Sequence, residues 1–175
     1  QTCALPIFSE ALNYWNKVIE QEPDYAEAWL NKGICMMSTS KLDDLKIPEA
    51  ISSWKAAIKF AKNPEPMKKR VSAKIAEVVV EFYAVAKLHY LRNARILGKQ
   101  MPETKEHLKR FCLLESALAL ALDLWPCEQL AQIGVDFCDD FHESTKTLRT
   151  GEIEELDQTR LEIKSKYVAV LAQCN

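Results

Sequence analysis

Apolar residues return every three or four positions through almost the whole chain, in segments that proline or glycine closes. That period lines them up along one side of an α-helix, whereas a half-buried strand would alternate at every second residue. Only four glycines occur in 175 residues, fewer than the turns of a many-stranded sheet protein require. The chain is therefore expected to be all-α, with about seven helices, no sheet, and roughly three quarters of its residues helical.

The segments follow from local signals. Phe8–Gln21 carries Phe8, Leu12, Trp15, Val18 and Ile19 at helical spacing, with Ser9 as a cap and Pro23-Asp24 closing it. Further helices are expected over Tyr25–Met37, Pro48–Lys62, Met67–Leu97, Pro102–Trp125, Cys127–Lys146 and Glu152–Gln173. Between them lie the polar stretch Ser38–Ile47, the breaker Asn63-Pro64-Glu65-Pro66, and the glycines Gly98 and Gly151. Short links make each neighbouring pair antiparallel. The β-branched run Val78-Val79-Val80 keeps the helical period in its flanks and is read as helix. Gln1–Ile7 has neither an initiator Met nor a signal-peptide charge pattern, and its back-translation resembles the end of a sequencing adapter. It is expected to be non-native, with the natural chain extending upstream, and residues 8–175 to form one domain.

The apolar share of 48% and charged share of 27% are ordinary for a globular domain. No apolar run approaches the roughly 18 residues of a membrane-spanning helix, so no membrane association is expected. The six cysteines are scattered, without a Cys-x-x-Cys pair, and Cys35, Cys112, Cys138 and Cys174 fall in apolar helical stretches. Reduced thiols and a cytoplasmic setting follow.

One pattern repeats. Ala11, Trp15, Val18 and Pro23 are spaced small–x3–aromatic–x2–small–x4–Pro, with Trp29 six residues after the proline and Gly33 four residues later. The first three positions return at Ala50, Trp54 and Ala57, displaced by 39 residues. That offset is five more than the 34-residue tetratricopeptide period, and Ser38–Ile47 is where an insertion would sit. Residues 8–63 thus resemble the second helix of one tetratricopeptide repeat followed by a complete repeat with a lengthened turn. Lys32 and Met36 depart from the family's usual Leu and Tyr. Beyond residue 66 the likeness is looser: Leu114, Leu118, Ala121 and Pro126 keep the second-helix spacing, and residues 67–175 read as divergent, elongated hairpins. The resemblance implies antiparallel helix hairpins stacked as a short right-handed α-solenoid. It implies a binding scaffold rather than an enzyme, whose concave face holds a peptide or partner protein.

On that resemblance Asn31, two residues after Trp29, is expected to face the groove and to hydrogen-bond a ligand backbone, with Leu30, Ile34 and Ser38 flanking it. A regulatory or substrate-recruiting module of a larger enzyme is the alternative reading. No phosphate loop, nucleophile elbow or His-Glu-x-x-His motif occurs, and no cofactor is expected. Cys138 and His142 lie one helical turn apart, as half a metal site would, but matching ligands are not evident and no metal is expected. His89 and His107 sit in Lys/Arg-rich helix ends and are read as solvated.

Charge is sorted along the chain. Lys55–Arg110 holds fourteen Lys/Arg against five Asp/Glu, a balance of +9. Phe111–Asp157 holds two against eleven, a balance of −9. Such runs commonly solubilise a face. The basic middle, with Lys87, Arg92, Arg95 and Lys99 at helical spacings, also suits the steering of an acidic partner. Nucleic acid is the weaker alternative, because the interleaved aromatics belong to the core pattern. Finally, the first helix lacks a preceding partner helix. Its side around Ala11 and Val18 is expected to be uncovered and to drive weak self-association.

Overall fold

A computed structural model of the chain describes residues 4–96, 100–146 and 152–174. Among these residues there are seven helices, α1 (Ala4–Gln21), α2 (Ala26–Ser38), α3 (Ile47–Phe60), α4 (Pro64–Asn93), α5 (Gln100–Leu124), α6 (Glu128–Thr145) and α7 (Glu152–Cys174). They are 86% helical, with no strand. The excess over three quarters arises mainly at helix starts. α4 begins at Pro64 and takes Pro66 into its first turn, and α5 takes in Pro102 in the same way. First-turn N–H groups have no intrahelical acceptor, so a proline there loses nothing. Likewise α1 starts ahead of the expected cap Ser9, with Pro6 in its first turn, and extends into the heptapeptide excluded above. Gly98 and Gly151 lie outside the described residues.

The expected irregular loop between α2 and α3 is in fact tightly bonded. Lys41 and Asp44 exchange backbone hydrogen bonds of 3.3 and 3.0 Å. Ser40 Oγ donates to Met36 O and accepts from Lys46 N–H, tying the loop to both helices.

The chain divides into two compact units, Gln1–Val78 and Val79–Asn175, and the division falls within α4. In the first unit α2 packs against both α1 and α3. Its buried residues, Ala28, Leu30, Gly33, Cys35 and Met37, accordingly wrap around more than one side. α3, packed against α2, buries Ile47, Ala50, Ser53, Trp54 and Ala57. Trp54 is 1% exposed and lies over Gly33, where an added Cβ would come within 2.7 Å of the indole Cδ1. The repeat pattern leads one to expect Trp15, Trp29 and Trp54 all to be mostly buried between hairpins, yet Trp29 and Trp15 are only half-buried. Trp29 stacks on Phe60 and donates its indole N–H to Pro23 O at 2.8 Å, which closes the turn before α2. No described residue of α1 is buried, and Ala11 and Val18 are as half-covered as Leu12, Trp15 and Ile19. The side chains α1 leaves open are instead Ile7 and Tyr14, 66% and 59% exposed.

In the second unit α6 is central. It runs antiparallel to α7, with Gly134 beneath Tyr167 and Asp139 facing Lys164. It runs antiparallel to α5 and parallel to α4, since Phe137 meets both Phe111 and Tyr83 while Lys87 meets Asp140. Leu114, Leu118 and Ala121 of α5 are all buried in this core.

Candidate partner-binding surfaces

Two surfaces carry the residues singled out in the sequence, one in each unit. On α2, Asn31, Ile34 and Ser38 are half-buried at the surface, but Leu30, 4% exposed, belongs to the core. A helix packed on two sides closes the position that the resemblance leaves open. Asn31 donates from Nδ2 to the Glu27 carbonyl of its own helix at 2.8 Å, so one of its two N–H groups is already used, while a side-chain amide oxygen is by nature an acceptor only. One turn earlier, the Glu27 carboxylate is gripped by Arg70 of α4 through both guanidinium nitrogens, with Nη2–Oε2 at 3.0 Å. The Arg70 hydrogen bond holds the Glu27 carboxyl below its usual range.

The second surface is the C-terminal half of α4. Lys87 pairs with Asp140 of α6, so its charge is answered within the unit. Arg92 and Arg95 are exposed at and just past the helix end. Lys99, the fourth basic position of the expected stripe, lies outside the described residues. Along the same helix Val80, Val85 and Leu88 are 50%, 41% and 65% exposed, and none of the three was expected from the sequence to lie on a binding surface. Their signal was present as Val85 and Leu88 on the side of α4 opposite Tyr83, Ala86 and Tyr90, with Val80 on the flank. It was obscured because a helix rich in apolar residues does not announce which of its sides is covered.

Sequence reasoning also missed the interior of this unit. His107 is not solvated but fully buried, its ring parallel to Tyr90 at 4.5 Å and beside Phe141 at 5.2 Å. Neither of its ring nitrogens has a hydrogen-bond partner among the described residues. Burial, reinforced by Arg110, pushes its pKa down to about 4, so the ring is neutral at pH 7. Burial and then the neighbouring Asp140 charge raise Tyr83, keeping its phenol protonated. His89 instead lies near the surface, in contact with Asn93 at 3.0 Å, with Glu103 3.9 Å away. Cys138 is buried, and burial pushes its thiol up to about 12, so it stays protonated at pH 7. Among the described residues no three His, Cys, Asp or Glu side chains gather as metal ligands, and no helix is long and apolar enough to cross a membrane.

The Gly134–Tyr167 contact is a second lock of the Gly33–Trp54 kind. Its trace in the sequence is Leu130–x3–Gly134 followed by Ile163–x3–Tyr167–x2–Val170, which matches the spacing of Trp29–x3–Gly33 and Ala50–x3–Trp54–x2–Ala57 with larger aliphatic residues in place of the two alanines. Longer helices hide it, because more of α6 follows the glycine and more of α7 precedes the aromatic, which separates the two by 33 residues instead of 21. Compared with models of known protein families, with curated proteins and with solved structures, the chain matches none of them.

Proposed function

We propose that the chain is a tetratricopeptide-like helical repeat that binds a protein or peptide partner and is not itself an enzyme. The observation that carries this reading is the repeated hairpin lock, in which a glycine of the first helix lies beneath an aromatic ring of the second, at Gly33–Trp54 and again at Gly134–Tyr167. Small residues at helix crossings and large aromatics between hairpins are what stacking of successive repeats requires. The parallel course of α4 and α6, with α5 antiparallel to both, supports the same reading within the second unit. The family's right-handed stacking and its placement in the cytoplasm are part of the proposal.

The partner is proposed to be acidic and to meet the exposed Arg92 and Arg95. The α2 surface, with Asn31, Ile34 and Ser38, is the secondary candidate. Fluorescence anisotropy with a labelled Glu/Asp-rich peptide, its Lys-rich counterpart and a single-stranded oligonucleotide tests the choice. The acidic peptide should bind at low salt and lose at least ~10-fold in affinity in the Arg92→Glu/Arg95→Glu variant. Equal binding of the two peptides, or an unchanged affinity in the variant, overturns the acidic-partner reading. Tighter binding of the oligonucleotide redirects it to nucleic acid.

A further inference from the structure

We infer that the outer side of α4 pairs, antiparallel, with the same side of a second copy of this chain. This inference stands independently of the partner binding proposed above. Glu81, Val85, Leu88 and Arg92 are spaced four, three and four residues apart, which lines them up along one helical stripe. All four are exposed, and they point away from the side that buries Tyr83, Ala86 and Tyr90. The stripe is apolar in the middle, acidic at its N-terminal end and basic at its C-terminal end. Exposed Ala84 and Val80 widen the apolar part on one edge.

Such an order is self-complementary under a two-fold axis. Reversing the stripe about the point midway between Ala86 and Lys87 lays Val85 on Leu88 and Glu81 on Arg92, and the reciprocal contacts form at the same time. This is the isologous pattern of a symmetric dimer, in which residue i meets j and j meets i. A parallel arrangement would set Glu81 against Glu81 and Arg92 against Arg92, so charge selects the antiparallel one. The small side chain of Ala84 at the edge permits close approach of the two helices. From Glu81 to Arg92 the stripe is only about 16 Å long, and a patch of this length supports a weak, concentration-dependent pair rather than an obligate one.

Sedimentation equilibrium of the full chain, from micromolar to millimolar concentration and with no partner added, tests the pairing. The average mass should rise from 20.0 kDa toward twice that value. Leu88→Asp should abolish the rise, and since Leu88 is largely exposed the variant keeps its fold. Glu81→Arg and Arg92→Glu should each weaken pairing at least ~10-fold, because each sets like charges against one another. The Glu81→Arg/Arg92→Glu double variant should restore it to within about threefold of the parent. A strictly monomeric chain overturns the inference, and so does a double variant no better than either single one. A pair that survives Leu88→Asp but is lost in Tyr14→Glu would lie on α1 and overturns it too. Glu81→Arg also separates this inference from the acidic-partner reading, since it breaks the pair while strengthening the hold on an acidic peptide.

Discussion

Gly33 and Trp54 show how much a single atom decides in this fold. The indole is fully buried, and its Nε1 has no hydrogen-bond partner among the described residues, so the ring is held by shape alone. A methyl group at Gly33 would overlap that ring, and neither the ring nor the helix backbone can yield cheaply. Gly33→Ala should therefore destabilise the chain by about 1–3 kcal/mol, as overpacking does, although alanine is the better helix former. Trp54→Ala should cost about 3–5 kcal/mol. In the double variant the alanine gains room, so urea midpoints should show losses well short of additive, and additive losses would refute the contact. His107 makes a residue-scale prediction about pH. The unfolded chain binds its proton near pH 6.5, whereas the folded chain resists protonation until about pH 4. The stability due to neutral burial is thus intact above pH 6.5 and lost as pH falls through that window, about 3 kcal/mol in all. His107→Phe keeps a ring in the stack between Tyr90 and Phe141 but removes the titration. Its stability relative to the parent should climb steadily from pH 6.5 to 4, and parallel pH profiles would rule the effect out.

Among elements, α7 poses the clearest choice between two kinds of contact. Asp139 of α6 faces both Lys164, at 2.6 Å, and Arg160, at 3.7 Å, on α7. Five residues earlier on α6, Gly134 lies under Tyr167, which is 1% exposed. Half-exposed ion pairs add little, about 1 kcal/mol or less, since water and salt screen them. A buried aromatic on a close-packed crossing is worth several times more. Tyr167→Ala should thus lower stability by about 3–5 kcal/mol and Asp139→Ala by about 1 kcal/mol or less. If chemical denaturation reverses that order, the hairpin is held by charge. The same comparison explains α1. Its apolar spacing announces a helix, yet although it packs against α2 none of its described residues becomes buried.

For the molecule as a whole, net charge conceals what charge order reveals. The chain carries −2 at pH 7 with a pI near 6.0, so net charge alone predicts that it passes through a cation exchanger. The +9 balance of Lys55–Arg110 predicts the opposite. The protein should be retained on a sulfonate resin at pH 7 and low salt, and the Arg92→Glu/Arg95→Glu variant should elute at lower salt. Passage of the parent chain without delay would show that its basic groups are answered from within.

The helical class and all seven helix positions were legible in the sequence to within four residues at either end, because the 3.6-residue period and the breakers Pro23, Pro48 and Pro126 act locally. Where expectation and structure differ at helix starts, Pro64 and Pro66 read as breaks although first-turn positions accept them, and Pro6 lay in the heptapeptide that was set aside. The Gly33–Trp54 lock was legible as a spacing, and its counterpart at Gly134–Tyr167 was not, since the longer helices α6 and α7 shift one half of the pattern against the other. Burial was the least legible property. Leu30 in the core, His107 among aromatic rings, and Val80, Val85 and Leu88 in the open are identical in kind to their neighbours along the chain. The sequence by itself determined that these residues are helical, because helix formation is settled within a turn or two. Only the tertiary structure decided which side of each helix is covered, because that depends on partner helices tens of residues away along the chain.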